Sequence, residues 1–186
     1  MLQAAAVALL LAAPADAARQ QAQRTNPNAA TLADFTKRVD AYVALHRKLE
    51  GTLPKLATQT TPTEIDTHQR ALSRLIQEAR KAARPADLFT PPMQRLVRTI
   101  LRPIFQGEDG RQVRAEILDS EFKGNVKLAV NGRYPDEVPI STVPPQVLAQ
   151  LPKLPEELEY RFIQTNLILF DPHAHIIVDY VERAFQ

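Results

Sequence analysis

The chain contains no cysteine and no tryptophan, and only five glycines among its 186 residues. The first absence excludes disulfides, thiol nucleophiles, thiolate metal ligands and a lipid-modified N-terminal cysteine. It is compatible with an oxidising compartment without establishing one. With aromatics at 6% and no Trp, the composition argues against a surface on which bases or sugars stack. The scattered glycines build no phosphate-binding loop, and neither Gly-x-Ser-x-Gly nor His-Glu-x-x-His occurs. Ser73, Ser120 and Ser141 are the only serines, and none sits in a nucleophile elbow. The expectation is a protein that is not an enzyme. Beyond residue 13 no apolar run approaches the roughly 20 residues that span a bilayer, so a soluble chain is expected.

What is present starts at the N-terminus. Leu2 to Ala13 is apolar except for Gln3, and Pro14 and Ala15-Asp16-Ala17 follow. A short apolar core closing on Ala-x-Ala reads as a secretory signal peptide over residues 1–17, cleaved near Ala17. No Lys or Arg precedes the core, which leaves open a start further upstream. The implied address is periplasmic or secreted, in a bacterium. Charge is divided unevenly along the rest: residues 18–120 carry 17 Lys/Arg against 11 Asp/Glu, and residues 121–186 carry 6 against 9. A basic first half on an exported protein favours anionic lipid headgroups over nucleic acid as a partner.

Residues 18–30 read as a flexible leader. Thr31 with Asp34 has the shape of a capping box, and Leu32, Phe35, Val39, Tyr42 and Leu49 then recur at helical spacing with His46 on the same seam. Gly51 and Pro54 stop this helix. Thr61-Pro62-Thr63-Glu64 opens a second, whose expected stripe is Ile65, His68, Leu72, Leu75, Ala79 and Ala82, ending at Arg84-Pro85. The short connection predicts a long antiparallel hairpin. Thr90-Pro91-Pro92 caps a third helix carrying Leu96, Val97, Ile100, Leu101, Ile104 and Phe105, which Pro103 should kink or end. A weaker fourth follows Gly107 and Gly110, with Val113, Ile117 and Leu118.

After Gly124 the period becomes two. Val126, Leu128 and Val130 alternate ahead of Asn131-Gly132, a strand-then-turn signal. Six prolines in residues 135–155 mark an extended connector, with room for one helical turn at residues 146–150. The last thirty residues read as a β-meander. Leu158, Tyr160 and Phe162 share a face; residues 167–170 form a second strand; Ile176, Val178 and Tyr180 line a third, after a turn opened by Asp171-Pro172. The expected fold is therefore α+β: a helical bundle over residues 31–120 built on the hairpin, a strand and proline-rich connector over 121–155, and a β-meander module over 156–186. Deleting that module should leave the helices folded.

The run Val130-Asn131-Gly132-Arg133-Tyr134-Pro135, with Val143-Pro144-Pro145, Leu151-Pro152-x-Leu154-Pro155 and Leu158-Glu159-Tyr160-Arg161, leads into Leu167-Ile168-Leu169-x-Asp171 and Ile177-Val178-Asp179-Tyr180. This pattern resembles a family of exported bacterial proteins of unknown function. Over residues 151–182 it is also similar to the small C-terminal module of periplasmic nickel/cobalt-homeostasis proteins. The resemblance implies export and a C-terminal strand pair, and it brings no catalytic residues.

Three constellations carry chemistry. His46 and His68 both lie near the loop end of the expected hairpin, on its apolar seam, with Glu50 and Glu64 each four residues away toward the loop. Two imidazoles and two carboxylates suit Zn²⁺, Ni²⁺ or Co²⁺; the competing account is a pair of packed core histidines beside ordinary helix-face carboxylates. Asp171-Pro172-His173-Ala174-His175 is the second: were His173 and His175 on a strand they would point to one face and reach one ion, whereas a solvated turn would use neither. Arg95, Arg98 and Arg102 line the polar side of the third helix, which either lies on an anionic membrane or is a solvated face. The Glu156-Glu157-x-Glu159 cluster reads as an exposed strand entry. From sequence, the leading reading is a non-catalytic envelope protein that captures an unidentified envelope partner, for example by strand addition at an open sheet edge. A metal-responsive periplasmic accessory and a peripheral membrane binder acting through residues 91–105 are the alternatives.

Overall fold

The computed structural model describes residues 27–118, 124, 126–139 and 142–185; the expected signal peptide over residues 1–17 and the expected leader up to residue 26 lie outside them. The order is α1 (Pro27–Glu50), α2 (Pro62–Ala79), α3 (Pro91–Gln106), α4 (Gly110–Leu118), β1 (Gly132–Arg133), α5 (Pro145–Leu148), β2 (Glu159–Ile163), β3 (Asn166–Asp171) and β4 (Ile176–Val181). The strands form one antiparallel sheet in the order β1-β4-β3-β2, so the fold is α+β. No helix among the described residues is long and apolar enough to cross a membrane.

The first helix buries Phe35, Val39, Tyr42 and His46 of its expected stripe, with Leu32 and Leu49 partly buried, and adds Val43, which the stripe did not include. It starts at Pro27, ahead of the Thr31 cap, and so takes four residues from the expected leader. The second is turned relative to its expected stripe and is shorter. Leu72, Ser73 and Ile76 are buried, while Ile65 is exposed and the helix ends at Ala79. Polar side chains explain the turn. Gln69 donates to the Pro172 carbonyl and Gln77 to the Asn131 carbonyl, and Arg80 donates to the Asn131 side chain. These bonds draw a polar flank of α2 toward the sheet edge.

α3 buries Met93, Leu96, Val97, Leu101 and Phe105 and carries Pro103 without ending there. Leu118, expected on the apolar side of α4, is exposed. Gly110 opens that helix straight out of the tight turn after α3: a Cβ there would sit 2.3 Å from the Phe105 carbonyl oxygen, so only glycine fits.

The alternation at Val126, Leu128 and Val130 does not form a strand. Those residues pack, partly buried, against one face of the sheet, and pairing begins only at Gly132 and Arg133, opposite Ile177 and Ile176. Asn131, at φ 58°, turns the chain into this short ladder. β2, β3 and β4 form the expected meander. A register shift between Leu169 and Phe170 places a bulge in β4. It breaks the expected face: Val178 packs in the helix-side core, whereas Ile177 and Tyr180 pack on the other side.

The sheet is covered on both faces, as the near-continuous apolar runs of β3 and β4 require. On one side Leu158, Tyr160, Phe162, Leu167, Leu169, Val178 and Val181 share a single core with Phe35, Leu72, Ile76, Leu101 and Ile117 of the helices. On the other, Tyr134 and Val138 close over Ile168, Phe170 and Ile177. The helical and β regions read from sequence as separable therefore have a common interior.

Candidate metal centre

The stripe of α1 carries two polar residues into this interior. Tyr42 and His46 are one turn apart and both buried, as is Asp171 at the end of β3. Burying polar groups is costly unless each finds a partner, and these three satisfy one another. Asp171 Oδ2 accepts from the Tyr42 hydroxyl at 2.5 Å and faces His46 Nδ1 at 2.7 Å. Its Oδ1 accepts from the Ala174 backbone N–H at 2.8 Å. Burial, reinforced by the Asp171 charge, holds the Tyr42 phenol pKa well above its usual value, so Tyr42 remains a donor.

The other face of the His46 ring looks outward. Its Nε2 lies 3.2 Å from Glu50 Oε2, and Glu50 Oε1 lies 2.9 Å from Nδ1 of His173. Glu50 ends α1 one turn beyond His46; His173 sits in the β3–β4 turn and is substantially exposed. The two imidazole rings are 5.3 Å apart between centroids. Burial alone would lower the His46 pKa, but the hydrogen bond and charge of Asp171, with those of Glu50, outweigh it and raise the pKa from 6.5.

His46, Glu50 and His173 thus present three ligand atoms within 4.8 Å of one another. A tetrahedral ion bound at about 2.0–2.1 Å holds its ligand atoms about 3.3 Å apart. The two histidine–glutamate separations lie near that spacing, each to a different oxygen of the Glu50 carboxylate. The remaining adjustment falls on the side chain of His173, which sits on an exposed turn. Behind the ligands, Asp171 fixes His46 with Nδ1 inward and Nε2 outward, the orientation that a carboxylate behind a metal-binding histidine imposes.

The arrangement draws one residue set from each of the two constellations expected separately. His68 is not in the cluster: it lies on the flank of α2, half-buried, lining with Arg47, Lys55 and Glu50 a cleft of about 390 Å³. Equal height on two helices brought it near the loop but not around to His46. Glu64 is committed elsewhere. Its carboxylate accepts from the Thr61 N–H at 2.7 Å while its own N–H donates to Thr61 Oγ1, a complete capping box. Thr61→Ala should accordingly cost about 1 kcal/mol of stability, measured by urea unfolding, and leave the His46 cluster untouched.

His175 also parts from His173. Residues 172–175 are a turn, not a strand, and His175 takes a left-handed backbone at φ 54°. Its ring packs on Phe170 and Tyr134, and burial, aided by the nearby Arg133 charge, lowers its pKa. Asp171, expected as a direct ligand beside these histidines, is instead the buried support. Glu157, expected in an exposed cluster, is buried and paired with Arg47.

On α3, the apolar side opposite Arg95, Arg98 and Arg102 is core. That helix has no free apolar face to insert into a bilayer. Comparison of the chain with protein-family models, with curated proteins and with solved structures returns no match.

Proposed function

We propose that this chain is an exported protein that binds one divalent transition-metal ion, Zn²⁺, Ni²⁺ or Co²⁺, through His46, Glu50 and His173. Within the α+β fold we read α1 and α2 as an antiparallel hairpin of a helical layer on the sheet, which presents the C-terminal end of α1 to the β3–β4 turn. The observation that carries the proposal is the buried Asp171–His46 contact backed by Tyr42: it aims a histidine nitrogen at a second histidine and a carboxylate. Three protein ligands leave a coordination position for water or a small ligand. Imidazole and carboxylate donors without thiolate suit borderline ions. The strand-addition reading keeps one supporting observation, that β2 ends the sheet.

Native mass spectrometry with each ion in turn tests the proposal. One ion per chain at micromolar metal is expected, lost in His173→Ala and His46→Ala and retained in His68→Ala, Glu64→Ala and His175→Ala. His173 is exposed, so its variant reports on the ligand without endangering the core. Binding should weaken as pH falls, because protons compete for the imidazole nitrogens. No bound ion, or an ion that survives His173→Ala, would refute this site.

A further inference from the structure

At the other end of α3 lies a cleft of about 440 Å³ lined by Arg98, Arg102, Arg183, Phe105, Phe185 and Glu182, among others. Arg98 and Arg102 are one turn apart on the helix. Arg183 follows β4 in a turn with φ 46°, its N–H held by the Asn166 side chain at 3.0 Å. Arg98 Nη2 donates to the Glu182 carbonyl at 2.8 Å, which fixes its guanidinium against the turn. The aromatic floor is packed: Phe105 and Phe185 are buried and stacked at 4.0 Å between centroids.

Elsewhere Arg38, Arg47, Arg70, Arg80, Arg133 and Arg161 each pair with a carboxylate, and Arg74, Arg84, Arg95 and Arg111, which do not pair so among the described residues, stand outside the cleft lining. Among the described residues, Arg98, Arg102 and Arg183 have no such ion pair, although Glu182 is nearby. Three cations against one acid, around a concavity and not spread over a flat face, concentrate positive potential where an anion can sit.

We infer that this cleft binds a phosphate group carried on an organic moiety. Guanidinium forks match phosphate oxygens in a way that a point charge does not. The cleft falls within the size range of small-ligand sites, about 300–1,000 Å³, and exceeds what a bare phosphate fills. The phenylalanine floor suits the attached organic part. Because the apolar side of α3 is core, a lipid would be recognised through its headgroup phosphate and not by burying this helix. The site is independent of the metal centre.

The test is calorimetric titration of the purified protein with inorganic phosphate and with glycerol 3-phosphate at fixed ionic strength. Alongside it runs sedimentation with phosphatidylcholine vesicles containing or lacking phosphatidylglycerol. Saturable binding is expected, weakened about tenfold or more by Arg98→Gln, Arg102→Gln or Arg183→Gln, and within twofold of the parent in Arg95→Gln, which lies on the same helix outside the cleft. Arg102 is exposed, so its variant does not risk the fold. Glycerol 3-phosphate binding without vesicle capture identifies a soluble organic phosphate. Capture by phosphatidylglycerol vesicles alone, abolished by the same variants, identifies a headgroup. Binding by neither probe, or equal weakening by Arg95→Gln, overturns the site in favour of diffuse surface charge.

Discussion

Asp171→Ala is expected to destabilise the protein by about 3–5 kcal/mol, the usual cost of removing one partner from a buried charged pair. The carboxylate is fully buried and serves three donors at once: the Tyr42 hydroxyl, His46 Nδ1 and the Ala174 N–H. Truncation leaves all three without an acceptor inside a packed interior, at the junction of α1 with the β3–β4 turn. Asp171→Asn separates stability from metal affinity. Its carboxamide can donate to His46 Nδ1, which would place the remaining ring proton on Nε2, where the ion must bind. Metal affinity should then fall about 10- to 100-fold, even where the fold survives. Urea unfolding in metal-free buffer and calorimetric titration of folded protein measure the two effects. An Asp171→Ala variant within about 1 kcal/mol of the parent would mean that the network is not coupled as described.

The same network sets a pH dependence whose sign differs between the two states. In the metal-free protein the His46 pKa is raised above 6.5. Its contribution to stability is therefore complete below the unfolded value and is lost as pH rises through the folded one. Stabilisation by added Zn²⁺ should run the other way over that window, growing as the competing proton leaves Nε2. Asp171→Asn should flatten the first slope. A metal-free protein whose stability rises through this range would contradict the pairing.

Much of the framework was legible because it depends on local period. The α1 stripe follows from the three-and-four spacing of Phe35, Val39 and Tyr42, and the β2 face from alternation at Leu158, Tyr160 and Phe162. The α2 face was misread because its inward flank is held by Gln69, Gln77 and Arg80, which apolar spacing cannot reveal. The bulge in β4 was equally invisible, since alternation assumes an unbroken ladder. Most residues of the site were visible: His46, Glu50, Asp171 and His173 all stood out as chemistry-bearing residues. Their grouping did not, because Glu50 and His173 meet across 123 positions of chain. Tyr42 was assigned to the seam without a polar role. A usable signal did exist in the strands: a single acid ending Leu167-Ile168-Leu169-Phe170-Asp171, or inside Ile177-Val178-Asp179-Tyr180, must be compensated if the strand is buried.

That argument leads to Asp179, whose loss is expected to be at least as damaging. The β4 bulge leaves Val178 on the helix side of the sheet, and the Asp179 carboxylate reaches the α2–α3 connection. Oδ2 accepts from the Leu88 and Phe89 N–H groups, both at 2.8 Å, and Oδ1 from Ala86 at 3.1 Å and Tyr180 at 2.9 Å. One side chain thus supplies acceptors to three N–H groups of a connection that has no helix or strand of its own, and to Tyr180 within β4. It holds Ala86 at a left-handed φ of 75° and sets Phe89, fully buried, against Phe35 at 5.4 Å. Each buried N–H left unsatisfied costs about 1–3 kcal/mol, so Asp179→Ala should lose about 4 kcal/mol or more, a large share of the 5–15 kcal/mol that ordinary domains possess. Asp179→Asn should recover only part of this, because its amide nitrogen would face the N–H donors that Oδ2 now accepts. Hydrogen exchange at Leu88 and Phe89 localises the effect: both amides should be protected in the parent and exchange through a local opening in the variant. The Asp179 variants should leave Zn²⁺ affinity of the folded fraction unchanged, which separates a lost loop anchor from damage to the His46 cluster. Parent-like protection of both amides in Asp179→Ala would show that the connection is held by its packing alone.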